Sequence, residues 1–258
     1  MQIEKADQNT FNISELHDLL HGLANFFSFA LGRWAGPKLA IGIDKEGDRV
    51  FQQWGLGRCT SGNWQVSTSW FSVYEPEVLT DVLPGFWSLW SKEIWRKSLR
   101  EMIFWYVSAN NTGNGVNVDS GLLFTQAALE LLAWTYCIKD RCLVSERAFA
   151  AHGGLNAADK LRLLVGSLGI PTEIPEEMTS LRSKPGRAWT DSMDAITDLR
   201  NKLVHPGDKN FPMNTFYDAW RLSLWYLEMI VLRLSGYNGK YSNRISDGAI
   251  ELVPWASS

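Results

Sequence analysis

The chain has 258 residues, 45% of them hydrophobic and 21% charged, with a net charge of −3. These proportions exclude global disorder and allow one large packed domain or two small ones. Lys+Arg against Asp+Glu stands at 6 to 9 over residues 1–80 and 19 to 19 over residues 81–258. No part therefore has the basic excess of a tight, nonspecific nucleic-acid binder, and any RNA-directed activity has to rest on local basic patches.

Asn12 or Ser14 caps a predicted helix reaching about Leu31, with Leu16, Leu19, Leu20, Leu23, Phe26 and Phe27 at helical spacing. His17 and His21 lie one helical turn apart. That spacing suits a metal pair, but no Cys or intervening Glu completes a known pattern, and a surface or packed pair is the simpler reading. Gly32 to Pro37 breaks the helix. Three short strands are predicted next: Leu39 to Ile43, Arg49 to Trp54, and Trp64 to Tyr74, with Gly47 in the first turn. So thin a sheet needs a helix or another segment to pack against.

From Asp81 the periodicity becomes helical. A helix from about Gly85 to Ser108 turns Phe86, Leu89, Trp90, Ile94, Trp95, Leu99, Met102, Ile103 and Tyr106 inward. Lys92, Arg96 and Arg100 recur every four residues on another face, either as a solvated face or as a stripe of phosphate contacts. A helix from about Gly121 to Ile138 is apolar almost all round and should be the buried centre of a bundle. Glu130 is its one charge, so it either meets a partner or reaches the bundle surface. Shorter helices follow over 145–151 and from Asn156 to Leu168. After a mostly irregular connection over 170–187 come a helix from Trp189 to His205 and a last one from about Asn214 to Leu234. The tail beyond Gly236 is polar, with one short apolar run. The predicted class is α+β, mostly α: an antiparallel helical bundle preceded by a helix and a small antiparallel sheet. Residues 1–80 form one region and 81–258 the other.

Cys59, Cys137 and Cys142 show no Cys-x2-Cys spacing, which argues against a disulfide framework or structural zinc and fits a reduced, cytoplasmic setting. No signal-peptide pattern is seen. The segment Leu222 to Leu234 is interrupted by Glu228 and Arg233 and is too short to span a bilayer, so no membrane association is expected.

The segment richest in chemistry is Asp198-Leu199-Arg200-Asn201-Lys202-Leu203-Val204-His205-Pro206. At 100° per residue, Trp189, Met193, Ile196, Leu199 and Leu203 form the core face of its helix. Asp194, Asp198, Asn201 and His205 form a polar stripe opposite. Arg200 leans to the apolar side, where a permanent charge needs a carboxylate or an anionic ligand. Glu130 is the expected carboxylate. Pro206 ends the helix and distorts it at His205. Asp191, Asp194 and Asp198 are read as an acidic first turn and polar face rather than a metal site.

Arg200-Asn201-Lys202-Leu203-Val204-His205 resembles the Arg-x4-6-His signature of the HEPN superfamily, including the polar residue after the arginine. Over residues 85–235 the arrangement is similar to that family's all-α bundle. The segments Leu23 to Phe29 and Tyr237 to Tyr241 resemble those flanking the bundle in ApeA-like anti-phage proteins. The resemblance implies a homodimeric, metal-independent endoribonuclease of toxin or anti-phage type, with an activating partner or phage component as a further expectation. No cofactor is implied. In such chemistry the RNA 2′-hydroxyl attacks the adjacent phosphate. His205 then serves as acid/base, Arg200 stabilises the phosphorane, and Asn201 orients either group. Glu130 and Asp198 support them, and Lys92, Arg96, Arg100 and Lys202 contact RNA. Some members of that superfamily are noncatalytic dimerisation or nucleotide-sensing modules, so an interaction module remains the alternative.

Overall fold

A computed structural model describes residues 2–5, 7, 9–55, 59, 69–110, 117–150, 154–183, 189–205 and 211–256. The first helix, α1 (Ile13–Leu31), starts where Asn12 Oδ1 accepts from the Glu15 amide and the Glu15 carboxylate accepts from the Asn12 amide. These reciprocal bonds satisfy two of the donors that a helix start leaves open. Gly32 ends it at φ 62°, a conformation glycine reaches without strain. An antiparallel hairpin of β1 (Leu39–Ile43) and β2 (Arg49–Trp54) follows.

The bundle comprises α2 (Val78–Trp90), α3 (Glu93–Asn110), α4 (Val118–Trp134), α5 (Glu146–Ala150), α6 (Ala157–Ser167), α7 (Thr179–Arg182), α8 (Ser192–Val204) and α9 (Met213–Leu234). A second antiparallel hairpin, β3 (Lys240–Asn243) and β4 (Ala249–Leu252), closes the chain. The fold is α+β and mostly α. As its all-round apolarity predicts, α4 is the central helix, packing on α3, α6, α8 and α9. It continues through a π-helical turn, Thr135–Asp140. Residues 118–140 are long and apolar enough to cross a membrane by length and composition alone, yet they lie mostly buried inside the bundle.

Leu122, Leu129 and Leu132 of α4 are fully buried, as are Leu99 and Met102 of α3, Ile196 and Leu199 of α8, and Leu227 and Ile230 of α9. The same core includes α1. Phe26 packs on Phe86 with ring centroids 5.2 Å apart, and Phe29 on Tyr106 at 5.6 Å. The first helix thus belongs to the bundle's hydrophobic core rather than to the hairpin beside it.

Four sequence expectations change. The helix expected over 85–108 is two, α2 and α3, because the α2 carbonyls near Ser91 find other partners. Ser91 Oγ donates to Trp87 O at 2.8 Å and Arg96 Nε donates to Trp90 O at 3.0 Å. The apolar spacing runs unbroken across this joint and so conceals it. Second, the strand expected from Trp64 to Tyr74 lies partly outside the described residues, and 69–74 are bends and turns rather than strand. Third, the polar tail forms the β3–β4 hairpin.

Fourth, Arg200 and Glu130 do not pair. Glu130 is half-buried and accepts from Gln126 Nε2, one turn earlier, at 2.9 Å. Arg200 Nη1 donates to its neighbour Asn201. Among the described residues a buried ion pair is formed by Glu228 with Arg244, at 0% and 9% side-chain exposure. Arg244 Nε donates to Glu228 Oε2 at 3.0 Å, Arg244 Nη2 donates to Oε1, and Tyr106 Oη donates to Oε1 at 2.5 Å. Burial first, and the Glu228 charge second, hold the Tyr106 phenol well above its ordinary pKa, so it remains a donor.

Candidate functional site

The helix α8 is fixed firmly at its start. Asp191 caps it, accepting from the Asp194 amide at 2.9 Å. Arg162 of α6 grips the same carboxylate with two bonds, Nε to Oδ2 at 2.5 Å and Nη2 to Oδ1 at 3.1 Å, and also donates to Asp159. Ser192 N donates to Thr172 O at 2.8 Å and Ser192 Oγ to Glu173 O at 2.9 Å, tying the first turn to the preceding connection. Asp194 accepts from the Thr190 amide, so Asp191 and Asp194 form the acidic first turn expected from the sequence.

At the other end the motif residues lie in the last two turns and the C-cap. Asp198 accepts from Trp189 Nε1 at 3.0 Å. Arg200 is half-buried, and its Nη1 donates to Asn201 Oδ1 at 3.0 Å. Among the described residues no carboxylate forms an ion pair with it. Lys202 is exposed. His205 closes the helix in an extended conformation, φ −102° and ψ 134°, its amide donating to Asn201 O at 3.0 Å. Its side chain is exposed. Pro206 lies outside the described residues, as does His152.

Asp198 and Asn201 also face a cavity of about 580 Å³ between α6 and α8, which Asp159, Arg162 and Asp194 help to line. Among the described residues that line it the one cation, Arg162, is paired with Asp191 and Asp159. A polyanion is therefore disfavoured inside it.

The proposed RNA stripe is not gathered with the motif. Arg96 and Arg100 lie on α3 and Lys92 in the turn just before it; α3 packs on α1, α2, α4 and α9, whereas α8 packs on α4, α6 and α9. Arg96 is tied to Trp90 O, with its Nη1 3.9 Å from Asp18. Arg100 and His21 face a second cavity, between α1, α3 and the first hairpin. His17 and His21 assemble no metal centre: among the described residues no group of three or more His, Cys, Asp or Glu could hold an ion. Sequence reasoning missed Glu228, Arg244 and Tyr106. A carboxylate within the long apolar run of α9 was the one available signal.

The match to the YopA C-terminal domain spans residues 92–253, from the start of α3 through the β3–β4 hairpin. The chain belongs to the YopA C-terminal domain family. Residues 1–65 match the YopA central domain. The chain is 28% identical over 260 residues to the SPbeta prophage-derived uncharacterized protein YopA of Bacillus subtilis strain 168, a match covering 98% of this chain. It spans about half the length of that curated relative, 56%. No solved structure matches. The YopA C-terminal domain thus takes in both α8 and the Glu228–Arg244 brace, while α1 and the first hairpin fall in the central-domain match.

Proposed function

We propose that this chain is a metal-independent endoribonuclease of the cytoplasm, acting in conflict between phage and host, with its site completed by a second copy of itself. The observation that carries this reading is Arg200. A half-buried guanidinium with no ion-pair partner among the described residues, steadied by Asn201 and five positions before an exposed histidine, is a ready phosphate ligand. Three features add support. Arg200 to His205 resembles the HEPN signature, the bundle is mostly α, and the YopA relative is prophage-derived.

In the proposed reaction His205 takes the proton from the ribose 2′-hydroxyl, whose oxygen attacks the adjacent phosphorus. Arg200 stabilises the charge that develops on the phosphorane oxygens. The partner copy's histidine protonates the departing 5′-oxygen, giving a 2′,3′-cyclic phosphate and a 5′-hydroxyl. Exposed Val204, Met213 and Tyr217, on the ends of α8 and α9 that flank the motif, favour pairing there.

The alternative is a noncatalytic dimerisation or nucleotide-sensing interaction module. The two readings separate on incubation of RNA with the purified chain in EDTA, followed by end-group analysis. Cyclic-phosphate ends that vanish in a folded His205→Ala protein are the expected result. Equal cleavage by both proteins, or a strict metal requirement, rejects the proposal.

A further inference from the structure

The second cavity is unlike the first. It holds about 610 Å³ between α1, the turn over 34–37, the β1–β2 hairpin and α3, within the size range of small-molecule sites. Its wall is aromatic: Trp34, Phe104 and Trp105, with the Trp34 and Phe104 ring centroids 6.1 Å apart. Phe104 remains 45% exposed, so core packing does not account for it. On the same wall are two cationic or ionisable groups, Arg100 and His21, and one carboxylate, Glu101. Among the described residues neither Arg100 nor Glu101 forms an ion pair, although they are adjacent on α3, whereas nearby Arg96 is tied to Trp90. The His21 imidazole sits edge-on to Trp90 at 5.5 Å. Burial first, then the Arg100 charge, lowers its pKa.

An aliphatic ligand would make no use of the exposed Arg100, nor of Glu101 and His21. Inorganic phosphate would leave the aromatic wall wet. A ligand combining a planar ring, an anionic group and N–H donors satisfies all three features together. We propose that this cavity binds a nucleoside monophosphate unit, its base against Trp34, Phe104 and Trp105, its phosphate on Arg100 beside His21, and the N–H edge of the base towards Glu101. The unit comes either from a free nucleotide or from the phosphorylated 5′ end of an RNA. The site lies on α1 and α3, away from α8, and stands independently of RNA cleavage.

The test is a titration of the full chain, followed by tryptophan fluorescence and by calorimetry. The probes are AMP, GMP, adenosine, inorganic phosphate and L-tryptophan. A mononucleotide should saturate, adenosine should bind about tenfold more weakly than AMP, and phosphate and tryptophan should not compete. Arg100→Gln, at an exposed position, should weaken AMP binding about tenfold, as expected for one lost charge-assisted contact, and erase the difference from adenosine. Phe104→Ala should weaken both ligands, while His205→Ala should leave binding unchanged. A short RNA that binds at least as tightly as AMP only when 5′-phosphorylated identifies the RNA end as the source. Binding restricted to mononucleotides identifies the free ligand. The proposal is overturned if no mononucleotide saturates, if Arg100→Gln binds AMP as wild type does, or if phosphate or tryptophan displaces it at equal concentration.

Discussion

Replacing Arg244 by methionine should be among the most damaging single changes outside the motif. The side chain lies only 9% exposed and donates two bonds to Glu228, which is fully buried; it also donates to Asn110 Oδ1 at 3.3 Å. Methionine fills much of the same volume, so the loss is chiefly electrostatic: a carboxylate left in the core with Tyr106 as its remaining partner. Breaking one side of such a pair costs about 3–5 kcal/mol. For a chain of this size that corresponds to a fall in melting temperature of about 6–20 °C. The comparison that isolates the pair is Arg244→Met combined with Glu228→Leu. This double variant removes both charges but strands the Tyr106 hydroxyl, which costs about 1–3 kcal/mol. Adding Tyr106→Phe removes that cost as well. Urea denaturation followed by circular dichroism should show the single variant least stable and the triple variant most nearly restored. A loss below about 1 kcal/mol in Arg244→Met, or additive losses in Arg244→Met and Glu228→Leu, would refute the assignment of the brace.

Gly85→Ala should cost about 1–3 kcal/mol, because its Cβ would lie 1.8 Å from the Ser235 carbonyl oxygen and force α2 away from the end of α9. Gly166→Ala, in an exposed turn of α6 with nothing within 4 Å, should instead stabilise by about 0.5–1 kcal/mol; thermal melts check both. Asn12→Ala removes half of the α1 capping box and should cost about 1 kcal/mol in the same assay. His21 should titrate below an ordinary imidazole in an NMR pH series, and Arg100→Gln should move it upward. Because its folded pKa is depressed, the unfolded chain takes up the proton first. Its small contribution is therefore present above the ordinary histidine value and is lost as pH falls towards the folded one.

What the sequence showed clearly was whatever repeats at helical spacing or caps within one turn. Asn12 and Asn156 start their helices as expected, and the unbroken apolarity around Leu122 to Leu132 placed α4 at the centre. Charge pairing was not legible, because it depends on which side chains meet across the fold. Glu130 drew attention as the lone charge of the most apolar helix, yet a glutamine one turn away satisfies it. Glu228 shares its helix with Arg221 and Arg233 and seemed less exceptional, but its true partner, Arg244, sits on the hairpin turn beyond β3. Strands as short as Lys240–Asn243 and Ala249–Leu252 carry too little alternation to reveal that hairpin. At the site, the motif's helix and its exposed histidine were readable. The acidic cavity between α6 and α8 was not, because Asp159 and Arg162 come from a different helix.

Under the proposed function, the two ends of α8 let a motif at this position act on a ligand without loosening the bundle. Its first turn is held by Arg162, by the Asp191 cap and by Ser192, and its apolar face is locked by Ile196 and Leu199, both fully buried. Arg200 therefore projects from a rigid base, and its own partner is a neutral amide rather than a carboxylate. A neutral partner steadies the guanidinium without cancelling its charge, which the expected Glu130 pair would have done. The buried ion pair described in the core is formed elsewhere, by Glu228 and Arg244, and Arg200 takes no part in it. Losing Arg244 should cost the fold, whereas losing Arg200 should cost anion binding and leave the fold nearly intact.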